Sequence, residues 1–206
     1  MPVFKIIEID NTKIGLWKNT QTIEQLLETA RNDISNIDYI KISEFTSINR
    51  QKEWICTRLL AKAINNDKYL QIYYDENHKP LINNGLIGIS HKDDYVAIIQ
   101  SADKNVSIDI EKISEKTSKI SSKFLSKKEQ NIFNTSNIKL TTLLWSVKEC
   151  VYKYYSKKKL AFAQNIEIQP FDIEKDKKVN VWLKQQIPIK VHFTFFDNFV
   201  LTYIFE

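Results

Sequence analysis

The sequence predicts an α+β fold with antiparallel sheets. Segments of strand period and segments of helix period come in blocks rather than in strict alternation, which argues against a parallel sheet. The strand candidates are separated by short polar turns, and strands joined so closely pair antiparallel.

The elements follow in order. "VFKIIEI" and "KIGLWK" flank Asp10-Asn11-Thr12 and predict a β-hairpin. Ile23, Leu26, Leu27 and Ala30 recur at helical spacing. A second helix is expected from about Glu44 to Ile64, with Phe45, Ile48, Ile55, Leu59 and Ala63 as its buried stripe. After "NHKPLINNG", the runs "LIGIS", "YVAIIQ" and "VSIDIEKI" predict a three-stranded meander. Ser126 to Glu129, "SKKE", has capping-box spacing, and a long helix is expected over about Lys139 to Lys157. The tail reads as strands "NIEIQ", "VNVWLK", "IKVHFTFF" and "FVLTYIF", the last two joined at Asp197-Asn198. Residues 1–100 and 101–206 thus form two halves, each with strands and two helical stretches, and no residue-level repeat links them.

Composition bounds the function. A chain of 206 residues, 43% apolar and 12% aromatic, folds as one domain or two small halves. With 3 Gly and 4 Pro it has no flexible linker, and it contains neither a GxxxxGK[ST] nor a GxGxxG phosphate loop. Cys56 and Cys150 lack CxxC spacing and lie in amphipathic segments, so both read as core thiols of a reducing compartment. No secretion signal or membrane-length apolar run is evident, so a cytoplasmic protein without membrane association is expected. The net charge of +5 favours an acidic partner, whether nucleic acid, acidic protein or polyphosphate metabolite. The lysines are dispersed, which argues against a nucleic-acid face.

Four groups of residues could carry chemistry. In "VSIDIEKI", Ser107, Asp109 and Glu111 share one face of a strand, with the acids roughly 6.5–7 Å apart along it. They are either an exposed sheet face or oxygen ligands for a hard cation such as Mg²⁺. In "WSVKECVYK", Glu149 and Lys153 lie one helical turn apart, opposite Val147, Val151 and Tyr155. A surface Glu–Lys pair worth ~0.2–0.5 kcal/mol is one reading. Trp145, Tyr152 and Tyr154 leave little of the helix polar, however, and an enclosed Glu149 needs a cation or a proton. His91, where a strand meets its turn, is a solvated histidine or a phosphate contact. Arg50 and Arg58, eight residues apart on a helix, are salt-bridged arginines or phosphate grips.

Taken in this order, these pieces resemble the 4′-phosphopantetheinyl transferase superfamily of the Sfp/AcpT type. The family pattern has a small residue followed by Ile-Asp-x-Glu on a strand. About forty residues on comes W-[ST]-x-K-E-x-x-x-K on a helix. Here they read "SIDIE" and "WSVKECVYK". "HKPLINNGLIGISHKDDYVAII" is similar to the family's Gly-Lys-Pro and Ser-His region at Lys79, Pro80, Ser90 and His91. "RQKEWICTRLL" is similar to its arginine-bearing helix. Ser107 stands in place of the usual Gly, His78 in place of a Gly before Lys-Pro, and Lys92 where Ser is frequent.

The resemblance implies two similar α+β halves with the active site between them, acting as a monomer. Coenzyme A is the implied donor, and a serine of an apo acyl or peptidyl carrier protein the acceptor. Mg²⁺, or Mn²⁺ in its place, is implied on Asp109, Glu111 and Glu149. Glu149 is also the implied general base and Lys153 the group at the departing phosphate. Arg50, Arg58, Lys79, Ser90, His91 and Lys148 are implied coenzyme A contacts. Two other readings compete: another metal-dependent phosphoryl enzyme, a phosphatase or nuclease, and a basic module that binds nucleic acid.

Overall fold

The computed structural model describes residues 3–67, 69–156 and 160–206. The chain divides into two compact units, Met1–Lys104 and Asn105–Glu206. The boundary falls after Lys104 rather than after residue 100, because the last strand of the first unit continues to Ser101 and a turn follows.

Unit 1 opens with β1 (Val3–Ile9) and β2 (Thr12–Lys18), joined by a turn in which Asp10 takes a positive φ of 50°. Three helices follow: α1 (Ile23–Ala30), α2 (Asn36–Glu44) and α3 (Ile48–Asn65). Thr22 and Gln25 close a capping box at the start of α1. The helix expected from about Glu44 is α3, which begins at Ile48 because the Ser47 side chain caps it, accepting from Arg50 N. Ile48 is therefore on the first turn and 57% exposed, not part of the buried stripe, which runs instead through Ile55, Leu59, Leu60 and Ile64. α2 escapes the periodicity argument because only Ile42 on it is buried, while Ile37 and Ile40 face solvent. Two short strands, β3 (Ile72–Tyr74) and β4 (Pro80–Ile82), form a separate hairpin across the "NHKP" turn. β5 (Leu86–Lys92) and β6 (Tyr95–Ser101) complete an antiparallel sheet of order β1-β2-β6-β5. Its core gathers Trp17, Leu26, Ile55, Leu60 and Ile98. Gly15 allows α3 this close, since a Cβ there would stand 2.5 Å from Ile64 Cδ1.

Unit 2 begins with β7 (Val106–Lys112). The expected meander stops at β6: β7 pairs not with β6 but with the C-terminal strand. Both edges of β6 are already taken, by β2 and β5. Short helices α4 (Glu115–Lys119), α5 (Ser121–Phe124) and α6 (Lys127–Ile132) lead to the long α7 (Ile138–Tyr155) and to α8 (Phe162–Asn165). The capping box at Ser126 and Glu129 forms as expected. The expected end of this helix at Lys157 lies outside the described residues. The strands β8 (Ile166–Ile168), β9 (Lys178–Leu183), β10 (Ile187–Phe196) and β11 (Phe199–Phe205) build the sheet β7-β11-β10-β9-β8, antiparallel throughout. α7 covers one face of this sheet with Leu143, Leu144, Val147, Cys150 and Val151, against Val181, Val191, Val200 and Ile204. The fold is α+β with antiparallel sheets. Cys56 and Cys150 are both fully buried.

Candidate active site

α7 is held at its N-terminus by the Asn137 side chain, which accepts from Leu140 N, and ends at Ser156 in the left-handed region. Alternation along β7 turns Ser107, Asp109 and Glu111 toward this helix, and each is tied to it. The Ser107 hydroxyl donates to Cys150 O at 2.8 Å. Its backbone has a negative φ, so the Ser in place of Gly causes no strain and adds a bond. Asp109 is 3% exposed, and both its carboxylate oxygens are used. Ser146 Oγ donates to Oδ2 at 2.7 Å, and Lys153 Nζ pairs with Oδ1 at 2.7 Å. Thr202, directly across the strand pair from Asp109, buttresses Ser146 by donating to its carbonyl at 3.1 Å. Glu111 takes a bond from Trp145 Nε1 at 3.0 Å.

Glu149 therefore lies on α7 between Trp145 and Lys153, one turn from the residue bonded to Glu111 and one turn from the residue bonded to Asp109. It is half-buried, and its charge reaches Lys153. Burial works against the Lys153 ammonium. The charge and hydrogen bond of Asp109 outweigh it, with Glu149 adding to them, and Lys153 titrates above its ordinary range. At neutral pH this is a cation on a carboxylate, one-third exposed at its side chain.

Among the described residues no three acids, histidines or cysteines form a ready-made metal cluster. Asp109 and Glu111 on β7 and Glu149 on α7 are all oxygen donors, the ligand type a hard divalent cation takes, and in this structure the Lys153 ammonium supplies the positive charge that buried Asp109 requires.

Unit 1 brings together Arg50 and His91. Arg50 Nη1 lies 3.1 Å from His91 Nε2 and 2.9 Å from Glu53 Oε2, and Glu53 Oε1 lies 3.4 Å from His91 Nδ1. A guanidinium can only donate, so Nε2 accepts and the His91 proton sits on Nδ1, facing Glu53. Lys79 is half-buried after the β3–β4 turn, where His78 takes a φ of 63°. A left-handed position is the physical reason a Gly suits it. Ser90 is 6% exposed on β5.

Two of the expected coenzyme A contacts are buried and already paired in this structure. Lys148 is fully buried, and its ammonium is spent on Glu129 Oε2 at 2.8 Å, Ile166 O at 2.7 Å and Phe162 O at 3.2 Å. Arg58 is 3% exposed, pairs through Nε with Asp38 at 2.8 Å and lies 3.4 Å over the Trp54 ring. The eight-residue spacing does not place it beside Arg50 at the surface because α3 buries its C-terminal half. The sequence reading missed Ser146, Thr202, Glu53 and Glu129. Ser146 sits inside the WSxKExxxK pattern and was within reach of it; Thr202 depends on strand register, which no local pattern encodes.

The geometry of unit 2 coincides with a family match. Residues 105–204 match the family model of the 4'-phosphopantetheinyl transferase superfamily. Unit 2 is a domain of that superfamily. The carboxylates Asp109, Glu111 and Glu149 and the cation Lys153 all lie inside the matched segment of this transferase domain. No curated protein matches the chain. Among the described residues no helix is long and apolar enough to cross a membrane.

Proposed function

We propose that this protein transfers the 4′-phosphopantetheine arm of coenzyme A to a serine hydroxyl of an apo carrier protein. The observation that carries the reading is the Asp109–Lys153 pair, a buried carboxylate and a retained ammonium joining β7 to α7 within the matched segment. Asp109, Glu111 and Glu149 would hold Mg²⁺, which when bound supplies charge neutralisation at the pyrophosphate.

The chain's own residues supply the rest. Glu149 takes the proton of the attacking serine as its oxygen bonds to the phosphorus that bears the pantetheine arm. The bond from that phosphorus to the bridging oxygen breaks, and the electron pair leaves with adenosine 3′,5′-bisphosphate. Lys153 is cationic at neutral pH and donates to the departing phosphate oxygen. Ser146 and Thr202 fix Asp109, and Trp145 fixes Glu111, so the donors are oriented before substrate arrives. Arg50 and His91, with Lys79 and Ser90, are the proposed contacts to the coenzyme A phosphates. A net charge of +5 favours both an anionic donor and an acidic carrier.

Chromatography of the nucleotide products tests this. Adenosine 3′,5′-bisphosphate should form from coenzyme A only when apo carrier protein and Mg²⁺ are both present. Release of inorganic phosphate from simple esters without a carrier would instead indicate a metal-dependent phosphatase. Inertness toward both, with salt-sensitive nucleic-acid binding, would indicate a binding module.

A further inference from the structure

Three side chains of unit 1 meet in one small cluster: Arg50 and Glu53 on α3, and His91 on β5. Because the Ser47 cap sets the start of α3, Arg50 and Glu53 fall one turn apart on the same side of the helix. The Arg50 side chain is 50% exposed, His91 38% and Glu53 only 20%, so the acid is the most sheltered of the three.

As a bare charge Glu53 would repel the phosphates that Arg50 and His91 are proposed to meet. Its contacts give it another use. Both carboxylate oxygens are engaged: Oε2 lies 2.9 Å from Arg50 Nη1, and Oε1 lies 3.4 Å from His91 Nδ1. His91 Nε2, 3.1 Å away, accepts from the same Nη1. A helical Glu–Arg surface pair would leave the neighbouring strand out, whereas here β5 closes the triangle.

Where these bonds fall on the guanidinium decides what it has left. The group carries five N–H donors in one plane. Glu53 and His91 both hold it by Nη1, and the Phe45 ring centroid lies 5.6 Å from its central carbon. Among the described residues, neither Nε nor Nη2 of Arg50 makes a hydrogen bond. The Nε–H and the adjacent Nη2–H point the same way, and this edge is the fork that takes two oxygens of one phosphate at once. The cluster thus grips Arg50 by one corner and leaves its bidentate edge unspent. Ordering a long side chain on binding is costly, and holding it beforehand lowers that cost.

We infer that Glu53 is a positioning residue: with His91 it holds Nη1 so that the Nε–Nη2 edge of Arg50 is ready for a phosphate group of coenzyme A. The inference rests on the transferase reading and deepens its donor site. Glu53 acts through Arg50 and touches no substrate.

The sign of the effect separates positioning from plain charge. Were Glu53 only a nearby negative charge, its removal would tighten the binding of an anion; as a positioning residue, its removal weakens it. Isothermal titration calorimetry of coenzyme A into the full chain with Mg²⁺, without carrier protein, reads this directly. Glu53→Ala is expected to raise the dissociation constant about tenfold. Glu53→Gln, whose amide oxygen still accepts from Nη1, should raise it less. In an Arg50→Ala background, where nothing is left to hold, Glu53→Ala should bring no further loss. Damage to the fold at large would weaken binding in both backgrounds. Thermal melting checks the fold, and Glu53→Leu, which keeps the bulk, substitutes if Glu53→Ala fails to fold. Unchanged or tighter binding in Glu53→Ala overturns the inference while leaving the transferase reading intact, and so does an equal loss with and without Arg50. Folded wild-type protein that binds no coenzyme A defeats the donor assignment itself, and the inference with it.

Discussion

Lys148 and Glu129 are both essentially absent from the surface and sit 2.8 Å apart. Removing one partner should be among the costliest single changes in unit 2. Glu129 Oε2 also accepts from Ser126 N at 2.7 Å, and Oε1 from Ile168 N at 2.9 Å. Lys148 in turn satisfies the carbonyls of Phe162 and Ile166. The pair thus ties α6, α7, α8 and β8 through four backbone groups. Lys148→Met leaves a buried carboxylate without a counter-charge and two carbonyls without a donor, at a cost of about 3–5 kcal/mol. For a chain of this length that corresponds to a fall in Tm of roughly 6–20 °C. Glu129→Leu should cost a similar amount. The double variant removes both charges and should be less destabilised than the sum of the singles by about 1–3 kcal/mol. Burial is the largest influence on the Lys148 ammonium and holds it below the usual lysine range against the pull of Glu129. A lysine depressed in the fold binds fewer protons there than in the unfolded chain. Its contribution therefore improves as pH rises between the folded value and the ordinary ~10.4. Glu129→Gln removes the pull and should steepen that alkaline gain. Thermal and urea unfolding, followed by far-ultraviolet circular dichroism, measures all of this. A Lys148→Met variant melting within about 2 °C of wild type, or strict additivity in the double variant, would refute the reasoning.

Three further outcomes are expected. The Cys56 and Cys150 thiols are each pushed up to about 12 by burial, so a disulfide reagent at pH 8 should titrate neither until denaturant is added; rapid reaction in the native state would contradict their burial. Gly85→Ala forces a side chain into a positive φ and onto Ser101 O, and should destabilise by about 1–3 kcal/mol in a thermal melt, whereas an unchanged melt would mean that the turn is not held as described. Lys153 is raised in the fold, so the stability of its pair with Asp109 is complete below the ordinary lysine value and lost only as pH climbs through the raised one; Asp109→Asn should abolish that alkaline loss, and a wild-type loss already near neutrality would contradict it.

Much of this was legible in the residues because their neighbours in sequence are also their partners in space. The hairpins, the Ser126–Glu129 capping box and the span of α7 follow from local spacing. So does the common face of Asp109 and Glu111 on β7. What escaped depended on pairing at a distance. Nothing in "VSIDIEKI" says that its partner lies nearly a hundred residues on, so local spacing assigns β7 to the sheet of β6 and gives no sign of Thr202 beside Asp109. By sequence alone Lys148 and Arg58 look like exposed anion grips, since nothing local to either shows a buried acid. Only the tertiary fold shows Glu129 and Asp38 buried against them. α2 carries almost no apolar stripe and so gave no periodic signal.

The central claim is that Asp109, Glu149 and Lys153 serve phosphopantetheine transfer. Intact-protein mass spectrometry of a purified apo carrier protein, incubated with this protein, coenzyme A and Mg²⁺, tests it most directly. Acyl- and peptidyl-type carriers should both be tried. The account predicts a gain of one phosphopantetheine mass with wild type. It predicts loss of that gain with EDTA and in Glu149→Ala, and a rate at least about 10²-fold lower in Lys153→Ala, each variant retaining the wild-type circular dichroism spectrum. A folded wild-type protein that adds no mass to any carrier, or a Glu149→Ala variant as fast as wild type, would contradict it.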